Sequence, residues 1–234
     1  MNIAIIGYGQ MGKEIEKVSI SRDHQIGKII DTNTQNKDLS GCDVAILFTT
    51  PDSVVQNIRL CLDHKVPVVC GTTGWLEKYD YITDYCKRKD ATFLFSPNFS
   101  IGVNLFFKLN SFFAKKISKY KNFNVSINEK HHLKKIDKPS GTAIKIAEDI
   151  LLNYSLSGWT LKDEKNKLKI NSDRFGKEMG FHEVLYESEH DSISISHNAK
   201  SRKGFALGAV LCAEWIFDKK GVFTMDDFLS NTNF

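Results

Sequence analysis

Hydrophobic residues in the first hundred positions gather in short runs, which are separated by longer amphipathic stretches. The runs at 3–6, 26–30, 44–48, 66–70 and 92–95 are apolar almost throughout, as expected of strands that are buried on both faces. The stretches 13–21, 52–64 and 76–89 have helical spacing, and Asp52 or Ser53 is the predicted N-cap of the second. Strands that alternate with helices in this way predict βαβ units and a parallel sheet.

The pattern changes after Pro97, where elements of a different kind begin. We predict a helix at 102–117, an alternating strand from 124 to 127 and beyond, a helix from 141 to about 152, strand segments at 182–187 and 191–196, and an apolar helix at 204–217. The two late strand segments predict an antiparallel hairpin, whereas the charged stretch 162–169 is assigned to no element. A short last helix is indicated by Thr224 and Asp227, which have the spacing of a capping box. The predicted fold is a Rossmann-type doubly wound parallel sheet with a second α+β domain that carries a mixed or antiparallel sheet.

Charge and cysteine content narrow the class of protein. The chain has 234 residues and a formal net charge of only +4, and its basic residues form short groups rather than a stripe, so we expect no nucleic-acid partner. The five cysteines show no CxxC spacing, which argues against a disulfide framework or a zinc site and favours a reducing compartment. No apolar run is long enough to span a membrane. We therefore expect a cytoplasmic protein that does not bind membranes.

A glycine-rich loop, Gly7-Tyr8-Gly9-Gln10-Met11-Gly12, joins the first strand to the first helix. In this context GxGxxG predicts dinucleotide binding, because the glycines allow a tight turn and let a pyrophosphate approach the helix N-terminus. Asp31 lies 19 residues after Gly12, where an acidic side chain binds the adenosine ribose hydroxyls and repels a 2′-phosphate. We therefore expect NADH to be preferred, with NADPH still usable because Lys13 and Lys37 can neutralise a phosphate.

Polar, small-residue loops follow the third, fourth and fifth predicted strands, at the sheet edge where open α/β sheets bind ligands. The first of them is 48–51. The other two provide the remaining candidate cofactor contacts, which are Gly71, Thr72, Thr73, Ser96, Pro97, Asn98 and Phe99.

The densest group of chemically active residues is the segment His131-His132-Leu133-Lys134-Lys135, which is followed by Pro139-Ser140-Gly141-Thr142. A histidine exchanges protons near neutral pH, a lysine supplies positive charge, and a helix start offers free amides to a carboxylate. This combination suits the reduction of a C=C or C=N bond in an acidic substrate, with hydride from a nicotinamide. Adjacent histidines on a strand point to opposite faces and no further histidine is expected nearby, so we predict no metal site.

These residues resemble the dihydrodipicolinate reductases of bacterial lysine and diaminopimelate synthesis. HHLKKIDKPSGTA fits that family's H-H-x-x-K-x-D-x-P-S-G-T-A pattern, and GYGQMG, GTTGW, SPNFSIGVN and Ser201-Arg202 follow in the family's order. The resemblance implies that the chain reduces 4-hydroxy-tetrahydrodipicolinate with NAD(P)H. It implies that His131 is the proton donor and acceptor, that Lys135 is the second catalytic donor, and that the substrate is bound by His132, Ser140, Gly141 and Thr142.

The resemblance also implies a domain organisation. Residues 1–101 and 204–234 would form the dinucleotide-binding domain, with the last helices packed on it, and residues 102–203 would form the substrate-binding domain and join four subunits into a homotetramer. Arg174 and His182 resemble an arginine and a histidine of the family in a stretch that aligns loosely. Two segments are shorter than in longer members, since only 12 residues separate Asp31 from Val44 and the stretch 162–169 is abbreviated.

Two alternatives remain open at this point. One is another two-domain Rossmann reductase of a small acidic substrate, which would share the glycine loop but would not explain HHLKK followed by PSGTA. The other is a catalytically silent NAD-binding regulator, in which His131 and Lys135 would be dispensable.

Overall fold

The predicted alternation of strands and helices is present in the computed structural model, which describes residues 1–231. The strands, in chain order, are β1 (Asn2–Ile6), β2 (Gln25–Ile30), β3 (Val44–Leu47), β4 (Val68–Cys70), β5 (Thr92–Phe95), β6 (Asn124–His131), β7 (Trp159–Thr160), β8 (Leu168–Arg174), β9 (Phe181–Glu187), β10 (Ser192–Asn198) and β11 (Gly221–Thr224). The helices are α1 (Gln10–Ser21), α2 (Pro51–Asp63), α3 (Tyr79–Arg88), α4 (Ile101–Ile117), α5 (Gly141–Leu151), α6 (Lys203–Ile216) and α7 (Met225–Asn231). A 3-10 turn, Leu76–Lys78, precedes α3.

The chain divides into two units. The first comprises Met1–Ile101 and the chain from Arg202 onward, and the second is Gly102–Ser201. The first unit thus resumes at Arg202 rather than at 204. Residues 232–234 of the predicted first domain lie outside the described residues.

The first unit is built on a six-stranded sheet in the order β2-β1-β3-β4-β5-β11, in which every neighbouring pair is parallel. The chain moves outward from β1 to β2 and then crosses to β3 on the other side, so a topological switch point lies between β1 and β3. Ligands bind at such points in open α/β sheets. Strand β11 was not predicted. It is a short, half-buried edge strand, so it lacks the continuous apolar run that identifies the central strands.

Helices cover both faces of this sheet. Ala4 and Ile6 of β1 belong to the cluster that includes residues of α2 and α3, whereas Ile3 and Ile5 belong to the cluster that includes residues of α1 and α6. Burial on both faces explains why the first strands are apolar throughout. The expected return of the last helices to this domain is confirmed, because Ala209 of α6 lies in the same cluster as Ile3.

The second unit carries a mixed five-stranded sheet in the order β10-β9-β6-β8-β7. Strand β9 is antiparallel to both β10 and β6, whereas β6, β8 and β7 run parallel, which confirms the predicted hairpin and the predicted type of second domain. Helices α4 and α5 pack on one face through a cluster that includes Phe106, Ile127 and Ile146. Strand β8 was missed because only Leu168 and Ile170 mark its inward face before the polar Ser172 interrupts the alternation of apolar and polar residues.

Two helix starts test the predicted caps. Helix α2 begins at Pro51 with Thr50 as its N-cap, so the prediction of Asp52 or Ser53 was wrong. Proline suits the first helical position, where its missing N–H is not needed, so the N-cap lies two or three residues before the predicted one. At α7 the capping box is confirmed, since the Thr224 amide donates to Asp227 Oδ2 at 2.8 Å and the Asp227 amide to Thr224 Oγ1 at 3.3 Å.

Among residues 1–231, no helix is long and apolar enough to cross a membrane.

Candidate active site

The glycine loop turns directly out of β1, and each of its glycines has a different environment. Gly7 has a φ of +92°, its amide donates to the Ile30 carbonyl at 2.8 Å, and a Cβ there would lie 2.0 Å from the Phe48 carbonyl oxygen. A Cβ on Gly12 would lie 2.3 Å from the Gly7 carbonyl oxygen, whereas a Cβ on Gly9 would meet nothing within 4 Å. The loop is therefore tightly packed at Gly7 and Gly12, whereas Gly9, the N-cap of α1, has free space beside it. This arrangement fits a pyrophosphate at the helix start.

The loops after β3 and β4 contact each other beside the glycine loop. The Thr49 amide donates to Thr72 Oγ1 at 2.8 Å, and Trp75 Nε1 donates to the Thr72 carbonyl at 2.7 Å. Gly71 is pressed against the Phe48 ring, where a Cβ would lie 2.1 Å from a ring carbon. The predicted residues of these loops are thus held by contacts among themselves, with Thr72 buried and Thr73 exposed.

The loop after β5 is held by a contact within the loop and by one with Phe48. Ser96 Oγ donates to the Asn98 carbonyl at 2.7 Å, Phe99 is buried against the Phe48 ring, and Pro97 is exposed. Asp31 follows β2 and is exposed; its carboxylate accepts a hydrogen bond from the Thr32 amide at 2.9 Å.

Tyr8, Gln10 and Met11 complete the predicted cofactor residues. Tyr8 is half-buried and its hydroxyl donates to Glu16, a contact that raises the pKa of the phenol, while Gln10 is exposed and Met11 packs partly into the core.

In the second unit, three strands align a row of polar side chains on the face that carries α5. Glu129 of β6 is in register with Ser172 of β8 on one side and with His182 of β9 on the other. All three residues are buried. Ser172 Oγ donates to Glu129 Oε1, and His182 Nε2 lies 3.6 Å from Glu129 Oε2. None of these contacts is local in sequence, and the sequence analysis missed both Glu129 and Ser172.

His131 ends β6 two positions after Glu129, on the same face of the strand. Its side chain is buried, and its ring packs edge-on against that of His182 with centroids 5.0 Å apart. The expectation that no further histidine lies nearby was therefore wrong, because the pairing of β6 with β9 brings His182 from a distant part of the sequence. Burial, together with the charges of His182, Lys135 and Arg174, lowers the pKa of His131 to about 4.

Glu129 is the charged centre of this row. Burial alone would raise its pKa, but hydrogen bonds from His182, Ser140 and Ser172 outweigh burial and hold the pKa well below its ordinary value. The Ser140 amide lies 3.1 Å from Oε1 and 3.2 Å from Oε2, and Arg174 Nη1 is 3.4 Å from Oε1. The buried carboxylate is thus ionised and surrounded by donors.

The loop after β6 is held by Arg174, which was noted in the sequence but given no role there. Its Nε donates to the Lys135 carbonyl at 3.3 Å and its Nη2 donates to the Asp137 carbonyl. Within the loop, Lys135 Nζ pairs with both Asp137 oxygens at 2.8 and 2.7 Å. His132 is half-buried and Lys134 is exposed. The single guanidinium therefore fixes the backbone on both sides of Ile136.

Helix α5 begins beside this row. Ser140 is its N-cap, and Ser140 Oγ accepts from the Ala143 amide at 3.1 Å while it also lies 3.0 Å from His182 Nε2. This hydroxyl is already engaged within the chain. The amides of Gly141 and Thr142 belong to the first turn, where a helix supplies no acceptors, and a Cβ on Gly141 would meet nothing within 4 Å. This open start can receive an anion.

Glu129, His131 and His182 also offer the donor types of a metal site, with ligand atoms within 4.8 Å of one another. The carboxylate of this trio is already occupied by the Ser140 amide, the Ser172 hydroxyl and the Arg174 guanidinium, whose positive charge opposes a cation. We therefore assign the trio no metal, on the contacts of its own residues.

Comparisons with known proteins identify the family. The model of the dihydrodipicolinate reductase N-terminus matches residues 1–99, and that of the C-terminus matches residues 102–229. The chain belongs to the dihydrodipicolinate reductase family. Curated relatives include the 4-hydroxy-tetrahydrodipicolinate reductases of Christiangramia forsetii, 47% identical over 99% of this chain and 98% of the relative, and of Methanocaldococcus jannaschii, 33% identical over 96% of this chain and 80% of the relative.

The fold agrees with this assignment. A dipicolinate-bound dihydrodipicolinate reductase from Paenisporosarcina sp. TG-14 superposes with a TM-score of 0.79 at 24% identity, covering 97% of this chain and 99% of that one. The chain is an NAD(P)H-dependent oxidoreductase that reduces 4-hydroxy-tetrahydrodipicolinate in lysine and diaminopimelate biosynthesis. The two alternatives, a different Rossmann reductase and a silent regulator, are set aside by the family match.

Proposed function

We propose that His131 exchanges the proton of this reduction and that Lys135 is the second catalytic donor. The supporting observation is the position of His131, which lies buried at the end of β6 and packs against His182, whose Nε2 is 3.0 Å from Ser140 Oγ at the start of α5. A histidine in such a place changes protonation when the charge around it changes. When bound, the nicotinamide supplies the hydride, and the imidazole passes on a balancing proton that it has taken up from solvent.

We further propose that the substrate is a small dicarboxylate whose carboxylate is received by the Gly141 and Thr142 amides, with His132 and Lys135 beside it. Ser140 would contribute mainly by capping α5, because its hydroxyl already accepts from Ala143. An incoming carboxylate would compete with Asp137 for the Lys135 ammonium, which lies 2.7 Å from Asp137 Oδ2. A solved relative has dipicolinate, a dicarboxylate, bound to it, which supports this choice.

For the dinucleotide, we propose the glycine loop, Asp31 and the loops after β4 and β5 as the binding residues, and NADH as the preferred form. The exposed Asp31 carboxylate suits the two ribose hydroxyls and disfavours a 2′-phosphate by charge repulsion. The test is the ratio of kcat/KM for NADH to that for NADPH, in the wild type and in Asp31→Ser. We expect the ratio to exceed one and to fall in the variant. A strong NADPH preference of the wild type would contradict this proposal.

We also propose a cytoplasmic homotetramer that assembles through residues 102–203. Leu105, Leu109 and Phe112 of α4 are each more than half exposed, as is unusual for such side chains in a monomer, and the edge strand β10 carries the partly exposed Ile193. The five cysteines are free, which suits a reducing compartment. Light scattering on the purified chain should give the mass of four copies, and a monomer would contradict the proposal.

The catalytic assignment is tested with 4-hydroxy-tetrahydrodipicolinate, supplied by a coupled synthase, while NADH oxidation is followed. We expect Lys135→Ala to lower kcat by about 10²-fold or more, as for loss of a proton-transfer group. Lys134→Ala is the matched control, because Lys134 is exposed in the same loop and should keep the wild-type rate. Wild-type turnover in Lys135→Ala would overturn the assignment.

A further inference from the structure

We propose that Glu129 is a positioning residue for the reaction. In this proposal its carboxylate holds the His131 imidazole in the form that carries a hydrogen on Nδ1, so that Nε2 is the atom that exchanges a proton with the substrate. The proposal rests on the role of His131 proposed above, and it adds a residue and an atom that the sequence motif does not specify.

The first support is the cost of burying this carboxylate. Glu129 has no exposed surface. Removing a carboxylate from water is unfavourable unless donors replace the water, so the Ser140 amide, the Ser172 hydroxyl and the Arg174 guanidinium together make its ionised form tolerable. Apolar residues of similar volume would meet the demands of folding alone at least as well. A charge kept in this place therefore points to a role in the site.

The second support is the geometry of the imidazole. His131 Nδ1 is 3.4 Å from Glu129 Oε2, at the distance of an ion pair but without hydrogen-bond alignment, and it is buried with no other partner in the described residues. A neutral imidazole has one N–H and one lone pair. A lone pair on Nδ1 would face the carboxylate and repel it, so the hydrogen belongs on Nδ1. Contacts of this kind tighten when a catalytic complex forms.

The opposite ring nitrogen faces a different environment. Gly180 lies against Nε2, and a Cβ at that position would lie 3.3 Å from it. Gly180 has a φ of +153°, a conformation that side chains rarely adopt, so the chain keeps this side of the ring free of a side chain. With Nδ1 directed at Glu129, Nε2 is left to take up a proton from solvent and to pass it to the substrate.

The third support is the balance of charge around His131. The groups that face it are Glu129 on its own strand, His182 on β9, Arg174 on β8 and Lys135 on the following loop. Of these, only Glu129 favours the protonated ring, whereas the other three and burial all disfavour it. Loss of the carboxylate would leave the imidazolium unsupported, as happens when the orienting acid of a catalytic triad is made neutral.

The direct test is nitrogen NMR of the ring in the full chain labelled with ¹⁵N-histidine. The chain has seven histidines, and the His131 signals are assigned as those that vanish in His131→Asn. At neutral pH we expect a protonated Nδ1 and an unprotonated Nε2. The opposite tautomer in the wild type would overturn the proposal, and this readout needs no Glu129 variant to fold.

The kinetic test uses Glu129→Gln, which removes the charge and keeps one acceptor oxygen for the Ser140 amide, while the other oxygen becomes an NH2 donor. We expect kcat to fall by about 10- to 100-fold with KM changed by less than about threefold, because orienting groups contribute on this scale. The limb of the kcat profile that declines with rising pH should move to lower pH. The matched control is Glu183→Gln on β9, whose carboxylate binds Asn128 outside the row and whose loss should change neither quantity.

The outcomes separate this proposal from the one on which it rests. If His131→Ala keeps the wild-type rate, the role of His131 is wrong. If His131→Ala is impaired while Glu129→Gln has the wild-type kcat and an unmoved pH limb, only the role of Glu129 is wrong. A low kcat with a displaced limb in Glu129→Gln, together with the expected tautomer, supports both.

Discussion

The glycine loop and the polar row on β6 are candidate sites of different kinds. In the glycine loop, the backbone and the absence of side chains shape the site. A Cβ on Gly7 or Gly12 would strike a carbonyl oxygen, and Gly9 leaves the start of α1 open. In the row, buried side chains from three strands compensate one carboxylate. The first site depends on six consecutive residues, whereas the second depends on strand pairing. Sites of the first kind can be recognised in a sequence, and sites of the second kind emerge only when the sheet is known.

We expect the largest effect from a substitution that disrupts the glycine loop. In Gly7→Ala the new Cβ would lie 2.0 Å from the Phe48 carbonyl oxygen at a φ of +92°, so the turn must rearrange. We expect NADH affinity to fall by at least about 100-fold and the unfolding free energy to drop by about 2 kcal/mol or more. Gly9→Ala is the control, since its Cβ has free space, and it should keep the stability of the wild type. Equal stability and NADH affinity of Gly7→Ala and the wild type, by calorimetry and fluorescence titration, would refute this account of the loop.

The polar row on β6 should make the free energy of unfolding depend on pH, whereas the glycine loop should not. The pKa of His131 is lowered from 6.5 to about 4 in the folded chain, so the unfolded chain binds more protons between these values. Stability should therefore be fully present above about pH 6.5 and decline as pH falls toward 4, by up to about 3 kcal/mol from this group. Thermal unfolding across this range should show the decline, and His131→Asn should flatten it. An equally steep decline in His131→Asn would assign it to other groups, with Glu129 contributing a further loss only at lower pH.

A smaller effect is expected at Arg174, which joins the row to the loop after β6. In Arg174→Lys the positive charge near Glu129 is kept, but a lysine cannot reach the Lys135 and Asp137 carbonyls together as the guanidinium does. We expect kcat/KM for the substrate to fall by about 10-fold with NADH affinity unchanged. Arg22→Lys is a matched control, because Arg22 makes a two-pronged contact with Glu214 in the other unit. If Arg174→Lys and Arg22→Lys give the same kcat/KM, the contacts of Arg174 with the loop after β6 have no special role.

Much of the fold could be predicted from the sequence because its signals are local. The central strands of the first sheet are continuous apolar runs, and the capping box of α7 is contained in four residues. The capping of α2 was predicted wrongly because Pro51 fixes the helix start more strongly than the following Asp52. Strand β8 was missed because the polar Ser172 interrupts its inward face, and β11 because it is a half-buried edge strand.

The candidate site could be predicted only in part. His131, Lys135 and the start of α5 lie within one motif, so they could be proposed as a site from the sequence. Glu129 could have been noticed, because it shares the inward parity of Ile127 and His131 along β6, where a charged residue is unexpected. Ser172 gave no signal, and His182 was noted only through the family resemblance, without a role. Their place beside Glu129 follows from the pairing of β6 with β8 and β9, which alternation alone does not determine.

The proposal that His131 acts in proton exchange and not in NADH binding is tested on one preparation of His131→Ala. NADH affinity is determined by fluorescence titration, and turnover of 4-hydroxy-tetrahydrodipicolinate is followed by NADH oxidation. We expect NADH affinity within about twofold of the wild type and a kcat lower by about 10²- to 10⁴-fold, the contribution of a proton-transfer group. Wild-type turnover in this variant would contradict the proposal.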